Sequence, residues 1–222
     1  EEEEDALLVT DPWGSKFRLV KSKDPEAESN AAGGTQGGGP SEGIALRDLT
    51  VEVTRGSNIA GIGRFYDRIL GAPTLRAEEG RCVISVGPMQ TLTFLEGPEG
   101  ETISHDDMID DDDNGEVVEG RPRYLSNYGP HLSVYVADLR SAYRKASELG
   151  VAYVNPRFKR RAYDEEEAVD DCMFRCIDVV DPEDKDAGPI LRLEHEVRSV
   201  IKRDGSKYKS CPLEEIPEGC RI

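Results

Sequence analysis

GPHLSVYVADLRSAYRKASELG, residues 129–150, decides how the chain is read. Its first half alternates: Leu132, Val134 and Val136 point one way, and His131, Ser133 and Tyr135 the other, as on a β-strand. Its second half has helical spacing, with Leu139, Ala142, Tyr143, Ala146 and Leu149 on one face. Asp138 is placed to cap that helix, and Gly150 to supply the left-handed residue that ends it.

A second copy lies upstream, in LRDLTVEVTRGSNIAGIGRFYDRILG, residues 46–71. Leu49, Val51 and Val53 take the strand slots, and Ile59, Ile62, Phe65, Tyr66 and Ile69 form the helical stripe. Leu132 follows Leu49 by 83 residues and Leu149 follows Leu70 by 79, so the first copy carries four extra residues around Arg55-Gly56-Ser57-Asn58. Such self-similarity points to a repeated unit. After the first helix, Thr74–Glu78, Arg81–Gly87 and Gln90–Glu96 read as strands parted by Glu79-Gly80 and Gly87-Pro88 turns. After the second, Val151–Asn155, CMFRCIDVV (172–180) and ILRLEHEV (190–197) read likewise.

The pieces HLSVYVADL (131–139) and RFYDRILGAP (64–73), with the strand-turn-strand ends, carry a resemblance. Residues 44–97 and 129–198 resemble the βαβββ modules of the vicinal oxygen chelate superfamily. That superfamily includes glyoxalase I, bleomycin-resistance proteins and extradiol dioxygenases. The resemblance implies an α+β fold in which paired βαβββ modules with curved mixed sheets enclose a cleft.

The rest of the chain is arranged around this pair. Residues 1–20 read as strand, Asp11-Pro12-Trp13-Gly14 turn, strand. They resemble the closing hairpin of a module, with Arg18 where the second module has Arg192, so we expect a further module N-terminal to them. Residues 21–43 form a Gly-rich linker. No GK[ST] follows it, which makes a phosphate loop a poor reading. Residues 98–128 are an acidic connecting insertion, whose Asp110–Asp113 run lacks the alternating spacing of a calcium loop. Residues 199–222 read as an irregular tail.

The 222 residues carry a net charge of −17, with 37% hydrophobic and 33% charged residues. That balance opposes a nucleic-acid groove, because phosphates would be repelled. No apolar run approaches the roughly 20 residues of a membrane span. We expect a soluble protein of the cytoplasm or of an organelle interior, plastid or mitochondrion. The five cysteines form no CxxC pair. Cys172 and Cys176, four apart in an expected strand, fall on one face, and Cys211 and Cys220 flank a loop as free thiols or as a disulfide.

In metal-dependent relatives, the resemblance implies, one ligand comes from the start of each first strand and one from each closing strand. Here those slots hold Asp48, Thr93, His131 and Arg192. His131 matches, Asp48 is a carboxylate, and an Arg repels a metal instead of ligating it. The expected outcome is a degenerate site with no metal, whose cleft residues are Asp48, Glu52, His131, Tyr135, Arg192 and Glu194. Asp48 and Arg192 would pair across it. His195 points away from Arg192, and His105 sits in the acidic insertion. No G-x-S-x-G elbow, HExxH or Walker loop is present.

The leading expectation is a non-catalytic binding or structural module with no cofactor, working with a protein partner as an accessory subunit of a larger assembly. Two other readings stay open. One is a metal-dependent lyase, isomerase or dioxygenase using zinc, nickel, manganese or iron on a shifted set such as His131, Asp48 and Glu194. The other is metal-free sequestration of a small anionic ligand, with Arg192 and His131 favouring the anion.

Overall fold

The computed structural model describes residues 6–12, 14–21, 23, 46–105, 109–110, 122–213 and 215–222. Most of the Gly-rich stretch and residues 111–121 lie outside them, so the linker and most of the acidic run are not described. In chain order the strands are β1 (Ala6–Thr10), β2 (Lys16–Val20), β3 (Asp48–Val53), β4 (Thr74–Glu78), β5 (Arg81–Gly87) and β6 (Gln90–Glu96), then β7 (Ile109–Asp110), β8 (Arg123–Tyr124) and β9 (Ser126–Asn127). They continue as β10 (His131–Val136), β11 (Ala152–Val154), β12 (Met173–Val180) and β13 (Pro189–Ser199). The helices are α1 (Ile59–Phe65), prolonged by a π-turn over Tyr66–Leu70, α2 (Leu139–Glu148) and α3 (Glu165–Asp171).

Two sheets carry the architecture. One has the order β3-β6-β5-β4, the other β10-β13-β12-β11-β8. In each, the first strand of a module runs parallel to its last: Asp48 faces Thr91, and His131 faces Glu194. The remaining pairs, β6 with β5, β5 with β4, β13 with β12 and β12 with β11, are antiparallel. Each module thus runs β-α-β-β-β, with α3 inserted in the second, and the pair forms an α+β fold with mixed sheets.

Local chemistry explains the elements. Asn58, Asp138 and Asp164 cap the three helices, each side chain accepting from a backbone N–H three residues on, at 2.9 Å. Helix α1 tolerates two glycines because it packs closely. A Cβ on Gly61 would stand 2.9 Å from Ile190 Cδ1, and one on Gly63 2.8 Å from Thr74 Oγ1. The π-turn ends at Gly71, whose φ of 68° suits glycine.

One contiguous core spans both modules. Phe65, Tyr66 and Phe94 from the first meet Leu139, Tyr143, Phe174 and Val197 from the second. Ion pairs reinforce the junction: Arg64 Nε donates to Asp181 Oδ1 at 2.8 Å, Asn58 Nδ2 to Asp181 Oδ2 at 2.8 Å, and Arg68 pairs with Glu183.

Three differences from the sequence reading concern the second module. Within the segment read as an acidic connecting insertion, Arg123–Tyr124 forms the outermost strand of the larger sheet, and Leu125, Ser126 and Asn127 are buried. Helix α3 was not foreseen, because EEEAVDD buries only Ala168 and Val169. Cys172 and Cys176 do not share a strand face. Cys172 ends α3 in the left-handed conformation at φ 57°, and only Cys176 lies on β12. All five cysteines are free thiols in the structure. The tail beyond β13 forms no further strand or helix among the described residues, but Val200, Ile201, Tyr208 and Cys211 build a small second cluster with Cys172.

The hairpin β1–β2 pairs Leu7 with Leu19 and Val9 with Phe17. Alternation puts these four side chains on one face, and all four are exposed.

Candidate functional site

The site is built on β12 and β13, the last two strands of the second module. Along β13, Leu193 and Val197 turn into the shared core, while Arg192, Glu194, Glu196 and Arg198 take the opposite face. Arg175 on β12 belongs to that same face, since Phe174 and Cys176 on either side of it are core residues.

There the chain has buried an ion cluster. Arg175 Nε donates to Glu194 Oε1 at 3.0 Å, and its Nη2 to Glu196 Oε2 at 2.9 Å. The side chains are 5%, 1% and 9% exposed. Glu194 Oε2 accepts from Asn127 Nδ2 at 2.6 Å and from Asn155 Nδ2 at 3.4 Å. Arg198 pairs with the other oxygen of Glu196. The guanidinium carbon of Arg175 sits 4.1 Å over the ring of Phe158, whose edge meets His131 with centroids 6.2 Å apart. Phe158 belongs to the basic run RFKRRAY (157–163). That run turns inward here: Arg157 donates to the Asn127 carbonyl at 3.1 Å, and Arg160 bonds the Tyr208 hydroxyl. Burial, and then the Glu194 carboxylate, push the phenol of nearby Tyr153 far up.

The residues singled out in sequence divide between the two sheets. Asp48 begins β3, where Oδ1 accepts from Thr91 at 2.5 Å and Thr93 at 2.8 Å, and Oδ2 accepts from Thr50 at 2.9 Å. Glu52 is exposed on the same strand. Arg192 Nε stands 3.5 Å from Asp178 Oδ1, and among the described residues no ion pair joins it to Asp48 as expected. Tyr135 donates its hydroxyl to the Ser210 carbonyl at 2.5 Å, tying the tail to β10. His131 and Glu194 are neighbours in register, as the parallel pairing requires. Among the described residues, no three His, Cys, Asp or Glu side chains are grouped to hold a metal ion.

His195 points away from this face, as expected, but it is not idle. Fully buried, its Nε2 lies 2.5 Å from the hydroxyl of Tyr66 in the π-turn. Burial holds the imidazole down to about 4 and the Tyr66 phenol well above its usual range.

Arg175, Asn127, Asn155 and Phe158 were missed in sequence. The usable signal was an Arg in the otherwise apolar run MFRCI, two carboxylates flanking a His on the closing strand, and the alternation that sets 175, 194 and 196 on one face.

No protein-family model matches the chain, and no curated protein matches it by sequence. Solved structures do match in arrangement. One is described as a possible glyoxalase from Bacillus cereus, at 12% identity and a TM-score of 0.39, covering 70% of this chain and 99% of that one. A lactoylglutathione lyase from Agrobacterium tumefaciens matches at 12% identity and a TM-score of 0.36, covering 71% and 95%. A glyoxalase/bleomycin resistance protein from Albidiferax ferrireducens matches at 10% identity and a TM-score of 0.36, covering 69% and 98%. The fold itself rests on the strand order of the chain's own two sheets.

Proposed function

We propose that this chain is a glyoxalase-like module without catalysis, in which an internal ion cluster replaces the metal site, and that it serves as an accessory subunit of a larger assembly. The observation that carries this reading is the guanidinium of Arg175 lodged between Glu194 and Glu196. A divalent ion does not fit these residues. Both oxygens of Glu194, the closing-strand carboxylate beside His131, are already bonded, and a fixed positive charge lies against them. Thr93 and Arg192 complete the slots with a weak ligand and a cation. Asp48 is held by threonines of its own sheet.

The exposed apolar face of the β1–β2 hairpin supports the partner reading, since Leu7, Val9, Phe17 and Leu19 present side chains that a soluble monomer seldom groups on one face. Among the described residues no helix is long and apolar enough to cross a membrane.

The test is metal analysis of protein purified without chelator, followed by titration with zinc, nickel, manganese and iron(II). The expected result is well under one metal per chain and no metal-dependent turnover of a lactoylglutathione-type substrate. Stoichiometric metal, lost on His131→Ala, would reinstate the enzyme with a shifted ligand set.

A further inference from the structure

A cleft of about 460 Å³ opens where the π-turn of the first module meets the start of α2 in the second. None of Arg175, Glu194 and Glu196 lines it, and its size is that of a small-molecule site. Ile69, Leu70, Pro73 and Val86 wall it from one module, Val134 and Lys145 from the other. π-Turns recur where a helix is reshaped around a site. Here the π-turn carries Tyr66, Ile69 and Leu70 to the cleft wall.

The charges around this cleft leave an excess cation. Among the described residues, Asp138 is its one lining carboxylate. That carboxylate is engaged twice, by the Ser141 backbone N–H at 2.9 Å and by Arg221 Nε at 2.6 Å. Arg221 is held there by the tail, its own N–H donating to the Ala137 carbonyl at 2.7 Å. Lys145 is exposed and forms no close ion pair among the described residues, its charge reaching Asp138 only at longer range. An apolar side made by Ile69, Leu70, Val86 and Val134, a polar side carrying Ser85 and Ser141, and one net positive charge fit a ligand with an apolar body and a single negative head.

We propose that this junction cleft binds a small apolar monocarboxylate, its chain against Ile69, Leu70, Val86 and Val134 and its carboxylate on Lys145. The proposal rests on the metal-free reading above only in that protein cations, and no metal, meet the anion. Octanoate is the probe, titrated calorimetrically into the chelator-treated full chain. The expected result is saturable binding of one octanoate per chain. Val86→Trp, which fills the cleft from an exposed position, should abolish it. Lys145→Glu should weaken it about tenfold, because reversal removes an attraction and adds a repulsion. Octanol should bind about tenfold more weakly than octanoate for the same reason. Absence of saturable binding, binding unchanged in Val86→Trp, or octanol binding as tightly as octanoate would each overturn the proposal. Octanoate binding that appears only with added nickel would instead sink the metal-free reading, and Val86→Trp would still decide whether the cleft holds the ligand.

Discussion

Tyr66 Oη lies 2.5 Å from His195 Nε2, and these two fully buried side chains come from opposite modules. Both are neutral at pH 7, and the imidazole tautomer sets which of the two donates. Tyr66→Phe would leave His195 Nε2 buried with no hydroxyl partner. It should cost about 1–3 kcal/mol in urea unfolding at neutral pH, the usual penalty for a stranded buried polar atom.

The same imidazole sets an acid sensitivity. Its pKa is about 4 in the folded chain, against 6.5 when unfolded. The unfolded chain therefore binds the proton first. Stability from this group is complete above pH 6.5 and is lost as the pH falls towards 4, by on the order of 3 kcal/mol. Unfolding free energies measured from pH 7 to pH 4 on the wild type and on His195→Gln should diverge over that interval. Parallel profiles would refute the assignment.

Arg175 neutralises two buried carboxylates at once. Arg175→Met should cost about 3–5 kcal/mol, because Glu194 and Glu196 are then buried without their cation. Adding Glu194→Leu and Glu196→Met to that variant should recover most of the loss. Chemical denaturation of the single and triple variants decides it. A triple variant no more stable than the single one would argue against an ion-pair origin.

Asp181 joins the modules through Arg64 and Asn58. The Arg64 guanidinium holds its carboxyl well below the usual carboxylate range. Its contribution is thus present above the ordinary Asp pKa and is lost only in stronger acid. Asp181→Asn should lower stability by about 1–3 kcal/mol at pH 7, read as a fall in the melting temperature.

Gly71 closes the π-turn at φ 68°, with open space where a side chain would go. Gly71→Ala should therefore cost only the left-handed backbone term, about 1–2 kcal/mol, with no loss from clash. A larger loss in equilibrium unfolding would mean the turn itself had reorganised.

Much of the fold was legible because its signals are local and repeated. The pair Leu49, Val51, Val53 and Leu132, Val134, Val136 gave the first strands, and Gly71 and Gly150 marked where the helices end. Strand ends at 74–78, 81–87 and 90–96 followed from their turns and match the structure. Helix α3 escaped because EEEAVDD has almost no apolar stripe, its stability resting on Asp164 and on Arg140 and Arg144, which pair with Glu165. The candidate site was half legible. Alternation put Glu194 and Arg192 on one face and His195 on the other, correctly. It gave no way to choose Asp178 over Asp48 as the partner of Arg192, since Asp178 reaches that face only after the register shift that follows Cys176. Nor did it show that Arg175, two strands from His131, would claim the carboxylate beside it.

The position of β13 has a consequence for how the chain is made. In the first module, β6 leaves the ribosome soon after β5, and its sheet is complete by residue 96. In the second, β13 lies between β10 and β12, so both wait for a strand that begins only at Pro189. Until β13 emerges, β10 has no neighbour in its own sheet and Tyr66 lacks its His195 partner. The arrival of His195 closes both gaps in one stroke, so one strand completes the second sheet and the junction between the modules.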